Sequence, residues 1–336
     1  MKNIYFICNN GENHQSIINF GGGASEFLFY LTAQNISKYY NVTIINRFSK
    51  EPIKIDNIQY LFLPDDKNPN IENINDCVVI VQRNFAMLIN LHKINQSNRY
   101  ILWCHDYLYK NIENLSQNYS CDDVNNYFCK NNILTISVSN FHKNNIREIM
   151  PNIKTYTIYN ALFKEFFKRD ESINYDKETI LFVSSWSKGI DKILKIGEAY
   201  YKKNTNFKLL LLKPNCCFYN PDLHNYPFIE IIGNIRNKAE YCKLLQKNLC
   251  VLTTSFPETF GCAFSESLFL GVPVIGDNSI NAGFHETVQK DHLCNFDNVN
   301  EVIEKIEKFR ENRPVVHLDE KFHDDAVIQE WIQLLQ

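Results

Sequence analysis

The chain has 336 residues, 45% of them hydrophobic and 22% charged, and a formal charge of −3, so it is long enough for two domains of ordinary size and carries no basic field of the kind that draws nucleic acid. No apolar run reaches the roughly 20 residues that span a bilayer, and the N-terminal MKNIYFICNNGENH reads as a first strand, not as a signal peptide. Eleven scattered cysteines with no CxxC pair at zinc spacing read as reduced thiols, Cys8, Cys77, Cys250 and Cys262 in apolar segments, so a cytoplasmic protein is expected.

Taken in order, residues 3–8 (NIYFIC) form the first strand. A polar stretch and three glycines, 21–23, precede a helix over 24–40, where Phe27, Leu28, Leu31 and Ile36 recur at helical spacing. Strands follow at 42–45, 58–63, 76–81, 100–103, 134–138 and 155–158, and helix-like segments separate most of them. The run at 76–81 (DCVVIV) has the length and character of a strand buried on both faces of a parallel sheet. Residues 162–178 are charged, lack a period and read as an interdomain connection. A second alternating series then begins. It has a strand at 179–183, a helix over 188–203, strands at 207–212 and 228–232, a helix over 237–245 and a strand at 250–254. Strands at 274–275 and 293–296 and helices over 299–311 and 324–335 complete it. Two such series predict two doubly wound α/β domains, with a ligand cleft facing the C-terminal ends of the strands.

The densest stretch lies at 253–276, TTSFPETFGCAFSESLFLGVPVIG. It reads as strand, turn, helix, loop, strand, with Pro257 and Gly261 breaking the chain before the helix and Gly271 and Pro273 ending it. Glu258 and Glu266 stand eight positions apart across the helix start, a separation of roughly 10–12 Å if the chain between them is mostly helical. A helix start offers backbone N–H groups, here near Phe260 and Gly261, to phosphates. A bare pair of glutamates would read as solvated helix charges, but these stand among Pro257, Phe260, Gly261, Gly271, Pro273, Val274 and Ile275.

That set resembles the donor-binding motif of retaining glycosyltransferases of glycosyltransferase family 4, close to P-E-x-F-G-x-x-x-x-E-x-x-x-x-G-x-P-V-I. The resemblance covers the C-terminal half well and the N-terminal half loosely. It implies GT-B architecture, two Rossmann-like domains around a central cleft: residues 1–162 on the acceptor side, with a C-terminal segment 318–336 packing back on them, and 163–317 on the donor side. It implies that Glu266 holds the ribose and Glu258 the sugar, with Thr259, Phe260 and Gly261 lining the donor. The segment SSWSKGI at 184–190 matches the family's Lys-Gly at Lys188 and Gly189, which implies that Lys188 neutralises the leaving diphosphate, with Ser185 beside it. The arginine that the family places before that lysine is absent, its place taken by Ser or Trp. His105, after the strand at 100–103, resembles the histidine that reaches the donor sugar, and Asp106 beside it reads as an acceptor-side group or a helix N-cap. Gly22 and Gly23 resemble the loop that approaches the donor phosphates; a flexible turn reads nearly as well. Gly233 and Asn234 resemble the loop that receives the nucleobase. Arg83, in Gln82-Arg83-Asn84, stands at a strand end where it either faces the acceptor or is an ordinary polar terminus. The Asn-Ala-Gly-Phe-His-Glu run at 281–286 resembles a G-G-x-x-E segment with Ala282 in place of its first glycine.

The implied activity is transfer of a sugar from a nucleotide diphosphate sugar, UDP favoured over GDP, to a hydroxyl of a glycan or other acceptor. Configuration is retained, the donor is a co-substrate, and neither metal nor cofactor is required. A sugar-nucleotide epimerase, a phosphorylase, and a nucleotide-sugar-binding protein without turnover share the architecture and stay open. So do the oligomeric state and a peripheral membrane contact.

Overall fold

The structure, a computed structural model, describes residues 1–20, 23–64, 74–109, 114–116, 119–213, 222–223, 225–233 and 235–336. The chain divides into two compact units, Met1–Ala161 with Asp324–Gln336, and Leu162–His323.

The first unit is built on an eight-stranded sheet. Its strands are β1 (Asn3–Ile7), β2 (Asn41–Asn46), β3 (Ile53–Ile55), β4 (Ile58–Phe62), β5 (Val78–Gln82) and β6 (Arg99–Trp103), then β9 (Leu134–Ser137) and β10 (Lys154–Thr157). A separate antiparallel pair, β7 (Asn114–Ser116) and β8 (Tyr119–Ser120), lies between β6 and β9 in the chain. The strand order is β10-β9-β6-β5-β1-β2-β4-β3, parallel throughout except for β3 against β4. The helices are α1 (His14–Phe20), α2 (Ala24–Ile36), α3 (Phe85–Ile94), α4 (Cys121–Lys130), α5 (Asn140–Ile149) and, from the far end of the chain, α10 (Asp324–Leu335).

Side chains alternate between the two faces of each strand. Ile7, Val79, Val81 and Leu102 join Leu88, Val124, Phe128 and Ile146 in one core. Their neighbours take the other face, where Phe6 meets Phe29 of α2 edge-on and Trp103 meets Trp331 of α10 at 4.9 Å. The last carbonyls of α10 are satisfied from elsewhere in the unit: Lys2 donates to Leu335, Arg99 to Leu334 and Tyr40 to Ile332.

The second unit holds a six-stranded parallel sheet: β11 (Asp176–Phe182), β12 (Lys208–Leu212), β13 (Ile229–Ile232), β14 (Asn248–Thr253), β15 (Val274–Asp277) and β16 (Leu293–Cys294), in the order β13-β12-β11-β14-β15-β16. Its helices are α6 (Ile190–Tyr201), α7 (Lys238–Gln246), α8 (Cys262–Phe269) and α9 (Val299–Glu311). Ile180, Phe182, Leu209, Leu211 and Leu252 pack against Ile193 and Ile196 of α6 and Val302 and Ile306 of α9. No helix among the described residues is long and apolar enough to cross a membrane.

Several local readings are corrected. The polar stretch after β1 contains helix α1, whose HQSIINF is too short and mixed to show a period. Helix α2 stops at Ile36, where Ser37 caps it, and not near residue 40. The edge strand β3 is an addition: it turns back antiparallel through Asp56, held at a positive φ of 52°. The segment 162–178, read as the connection between domains, is the packed start of the second unit. Leu162, Phe163 and Phe167 are buried, Gln246 accepts from the Asp170 N–H, and β11 already begins at Asp176.

In each sheet the first strand is central, and the later strands extend the sheet from it in opposite directions, β2 on one side of β1 and β5 on the other, and likewise β12 and β14 around β11. These are the points where strand order reverses, and loops leaving the strands there diverge to form a crevice.

Candidate functional site

In the second unit the crevice is bounded by the loop after β11 and the loop after β14. The first carries Lys188, the second Glu258. The Lys188 Nζ lies 3.0 Å from Glu258 Oε2, and Ser255 Oγ donates to the same oxygen at 3.2 Å. The sequence assigns these two side chains to different parts of a ligand; the structure pairs them. Neither stands in a helix. Gly189 is the N-cap of α6, at φ 102°, so Lys188 precedes the helix that the sequence starts at 188. Gly261 caps α8 at φ 95°, so Glu258 lies in the loop, and an axial spacing of 10–12 Å along a helix does not apply to it.

The Glu258 loop is held from behind. The Gly283 N–H donates to the Glu258 carbonyl at 2.8 Å, and a Cβ at Gly283 would stand 2.1 Å from the Thr259 carbonyl oxygen. Phe260 is 2% exposed and packs on Phe322, so its ring is core and only its backbone can serve a ligand. Ser185 and Ser187 share a hydroxyl contact at 3.0 Å. In the segment at 184–190, where the family's arginine is missing, Trp186 is buried, with its indole N–H on the Leu212 carbonyl and the Lys213 ammonium 5.8 Å from its ring.

Glu266, in α8, has partners that the sequence does not reveal. The Lys238 ammonium lies 3.5 Å from Oε1, and the buried Tyr241 phenol stands close enough to feel the carboxylate charge. Burial, and then the Glu266 charge, hold the Tyr241 phenol well above its usual range, so it stays a donor. Behind these groups, Asp277 at the end of β15 is fully buried and accepts from Thr254 Oγ1 at 2.6 Å, Lys192 Nζ at 3.1 Å and the Ser279 N–H at 2.9 Å. Burial opposes that charge, but the Ser279 and Thr254 bonds bring its pKa below the ordinary value. Asp277 thereby ties the loop bearing Glu258 to its neighbour. Lys238, Tyr241 and Asp277 show no signal in the sequence.

In the first unit, His105 follows β6 and is buried against Trp103, ring centroids 4.8 Å apart. Burial, then the Arg83 charge and His142, push its pKa down to about 3, so the imidazole is neutral near pH 7. Asp106 caps no helix. Its carboxylate binds the Arg83 guanidinium on two oxygens, Nε to Oδ2 at 2.8 Å and Nη2 to Oδ1. Burial alone would raise the Asp106 pKa; the Arg83 bond and charge bring it below the usual carboxylate value. Arg83 sits at φ 65°, a conformation L residues seldom adopt, and its N–H is tied to the Trp103 carbonyl at 2.9 Å. A cavity of about 460 Å³ opens beside it, at the ends of β1 and β5.

Gly23 is the extended N-cap of α2, and a Cβ there would stand 2.2 Å from Glu26 Oε2. Gly233 ends β13 with open space where a Cβ would be, so no close approach requires a glycine there. Gly22 and Asn234 lie outside the described residues.

No protein-family model matches the sequence. No curated protein matches it either. Solved structures do match. Sucrose-phosphate synthase from Thermosynechococcus elongatus superposes with a TM-score of 0.72 at 14% identity, covering 99% of this chain and 98% of that one. The E. coli trehalose-6-phosphate protein bound with UDP-2-fluoro glucose gives 0.70 at 10% identity, over 100% and 96%. HepE of Anabaena, in complex with UDP and glucose, gives 0.63 at 13% identity, over 100% and 99%.

The chain has the GT-B fold. Within that fold the Lys188–Glu258 pair stands at the switch point of one Rossmann-like domain, and Arg83, His105 and Asp106 stand on strand ends of the other.

Proposed function

We propose that the chain is a glycosyltransferase that moves a sugar from a nucleotide diphosphate sugar, UDP-linked in preference to GDP-linked, onto a hydroxyl of a glycan or other acceptor. It retains anomeric configuration and uses no metal. The observation that carries the reading is the Lys188–Glu258 pair, 3.0 Å apart at the switch point, which joins Lys188 to the motif whose second carboxylate, Glu266, is paired with Lys238.

A diphosphate arriving at Lys188 replaces Glu258 as the partner of the ammonium. Glu258, still oriented by Ser255 and Gly283, is released toward the sugar, where its charge offsets the positive charge that develops at the anomeric carbon. The N-terminal turn of α8 adds its dipole to the phosphates. The bond from the anomeric carbon to the diphosphate oxygen breaks while the acceptor oxygen attacks from the same face, and its proton passes to a phosphate oxygen. Neutral His105 hydrogen-bonds a sugar hydroxyl, and Glu266 holds the ribose hydroxyls. Most of the rate then comes from positioning and fixed charge.

One observation favours a second reading, nucleotide-sugar binding without turnover: the 184–190 segment holds no arginine, and its Trp186 is buried. Hydrolysis and transfer with a panel of UDP- and GDP-sugars separate the two. The wild type should turn over at least one donor, and Glu258→Gln should lose roughly 100- to 1,000-fold in kcat while still binding UDP. Donor binding with no turnover anywhere in the panel would leave only the second reading.

A further inference from the structure

We propose that the cavity of the first unit takes an uncharged, polyhydroxylated acceptor, a sugar and not a sugar phosphate, and that Glu26 and Arg83 select it. This rests on the transferase reading above and adds the chemical class of the acceptor.

The cavity, about 460 Å³, is within the range of small-molecule sites and lies where strand order reverses around β1. Its polar lining is mostly amide, from Asn9, Asn10, Gln82 and Asn84. Amides and carboxylates match hydroxyl groups as donors and acceptors.

Two lining side chains are charged, Glu26 and Arg83. An arginine in a pocket is an obvious anion site, but this guanidinium is already matched. Two of its nitrogens are bonded to Asp106, Nη1 lies 3.7 Å from Glu26 Oε1, and Nη1 donates to Ser25 Oγ at 3.2 Å. Two carboxylates thus face one guanidinium, and the Glu26 charge reaches Glu12, whose carboxyl is raised first by burial and then by Glu26. A phosphate dianion entering here would have to displace Asp106 and stand beside Glu26. A neutral hydroxyl pays no such repulsion. The left-handed backbone of Arg83, fixed by its bond to Trp103, is a local strain of the kind that persists where the surroundings hold a side chain to a task.

The experiment measures transfer from the donor that the panel above selects. The acceptors are glucose, galactose, mannose, N-acetylglucosamine and their disaccharides, each set against the 1- and 6-phosphates of the same monosaccharides. At least one neutral sugar should accept, with kcat/KM at least tenfold above its phosphates. Glu26→Gln should raise KM for that sugar about tenfold with a smaller change in kcat, its melting temperature and UDP-induced shift reporting that it folds. Glu26→Lys should move the preference toward the phosphate, a gain that misfolding cannot produce. A sugar phosphate preferred by the wild type, donor hydrolysis without transfer to any neutral sugar, or a KM unmoved in Glu26→Gln would overturn the inference. A wild type that neither binds nor turns over any donor would instead overturn the transferase reading beneath it.

Discussion

Lys188 and Glu258 are seventy positions apart in the chain and 3.0 Å apart in space, because β11 and β14, the strands that deliver them, are neighbours in the sheet. As a part-exposed ion pair it adds little stability; its weight lies in exchanging partners. Lys188→Ala should therefore weaken UDP binding by roughly 10- to 100-fold, the scale of one charge-assisted hydrogen bond, when measured by calorimetry. Unchanged affinity would remove Lys188 from the phosphate site. Glu266 offers a sharper test. If it holds the ribose, Glu266→Gln should cost about tenfold in UDP affinity, and the loss should largely vanish with 2′,3′-dideoxy-UDP, since the hydroxyls that report the carboxylate are gone. An equal loss with both nucleotides would make the Glu266 contact with Lys238 a purely structural one.

Two elements carry the sites. The turn at Gly283–Glu286 backs the Glu258 loop, with no room between Gly283 and the Thr259 carbonyl. Gly283→Ala must push backbone against backbone, an overpacking worth about 1–3 kcal/mol, and the shifted loop carries Glu258 with it. The variant should melt several degrees lower and lose turnover out of proportion to UDP binding; a wild-type melting temperature would mean that the loop yields. The other element is α10. Trp331 is fully buried, lies on Trp103, and Trp103 lies on His105, so the last helix braces the strand end that holds the histidine. Trp331→Ala should cost about 3–5 kcal/mol, seen as a lower urea midpoint for the transition of the first unit. Removing residues 324–336 should leave that unit unfolded, because the helix also buries Val327, Ile328 and Leu335.

At the scale of the molecule, acid should act first on the first unit. His105 and His142 are buried beside one another, and burial brings them to about 3 and about 4 from an unfolded value of 6.5. Burial keeps His142 neutral although its bond to the Asp106 carbonyl favours the charged form; its other ring nitrogen accepts from the Val138 N–H. Below pH 6.5 the unfolded chain binds protons that the folded one does not. The stabilisation is thus complete above that pH and falls by about 2 kcal/mol per imidazole at pH 5. Melting followed from pH 7.5 to 4.5 should show that decline, and His142→Asn should flatten it; a flat wild-type profile would mean that these imidazoles are not buried neutral. Much of this molecule is legible in its sequence. Runs such as 76–81 are apolar and bounded, so the buried parallel strands read directly, and the Pro, Gly and Glu spacing at 257–275 marks the loop and helix that carry two carboxylates. Both signals are local, since strand burial and helix entry are set by side chains within a few positions. Helix α1 and strand β3 are too short and polar to register, and the partners of each charge are not local at all. That Glu258 meets Lys188, Glu266 meets Lys238, and Arg83 is matched by Asp106 follows from the order in which the strands lie side by side, which no period in the sequence records and only the tertiary structure decides.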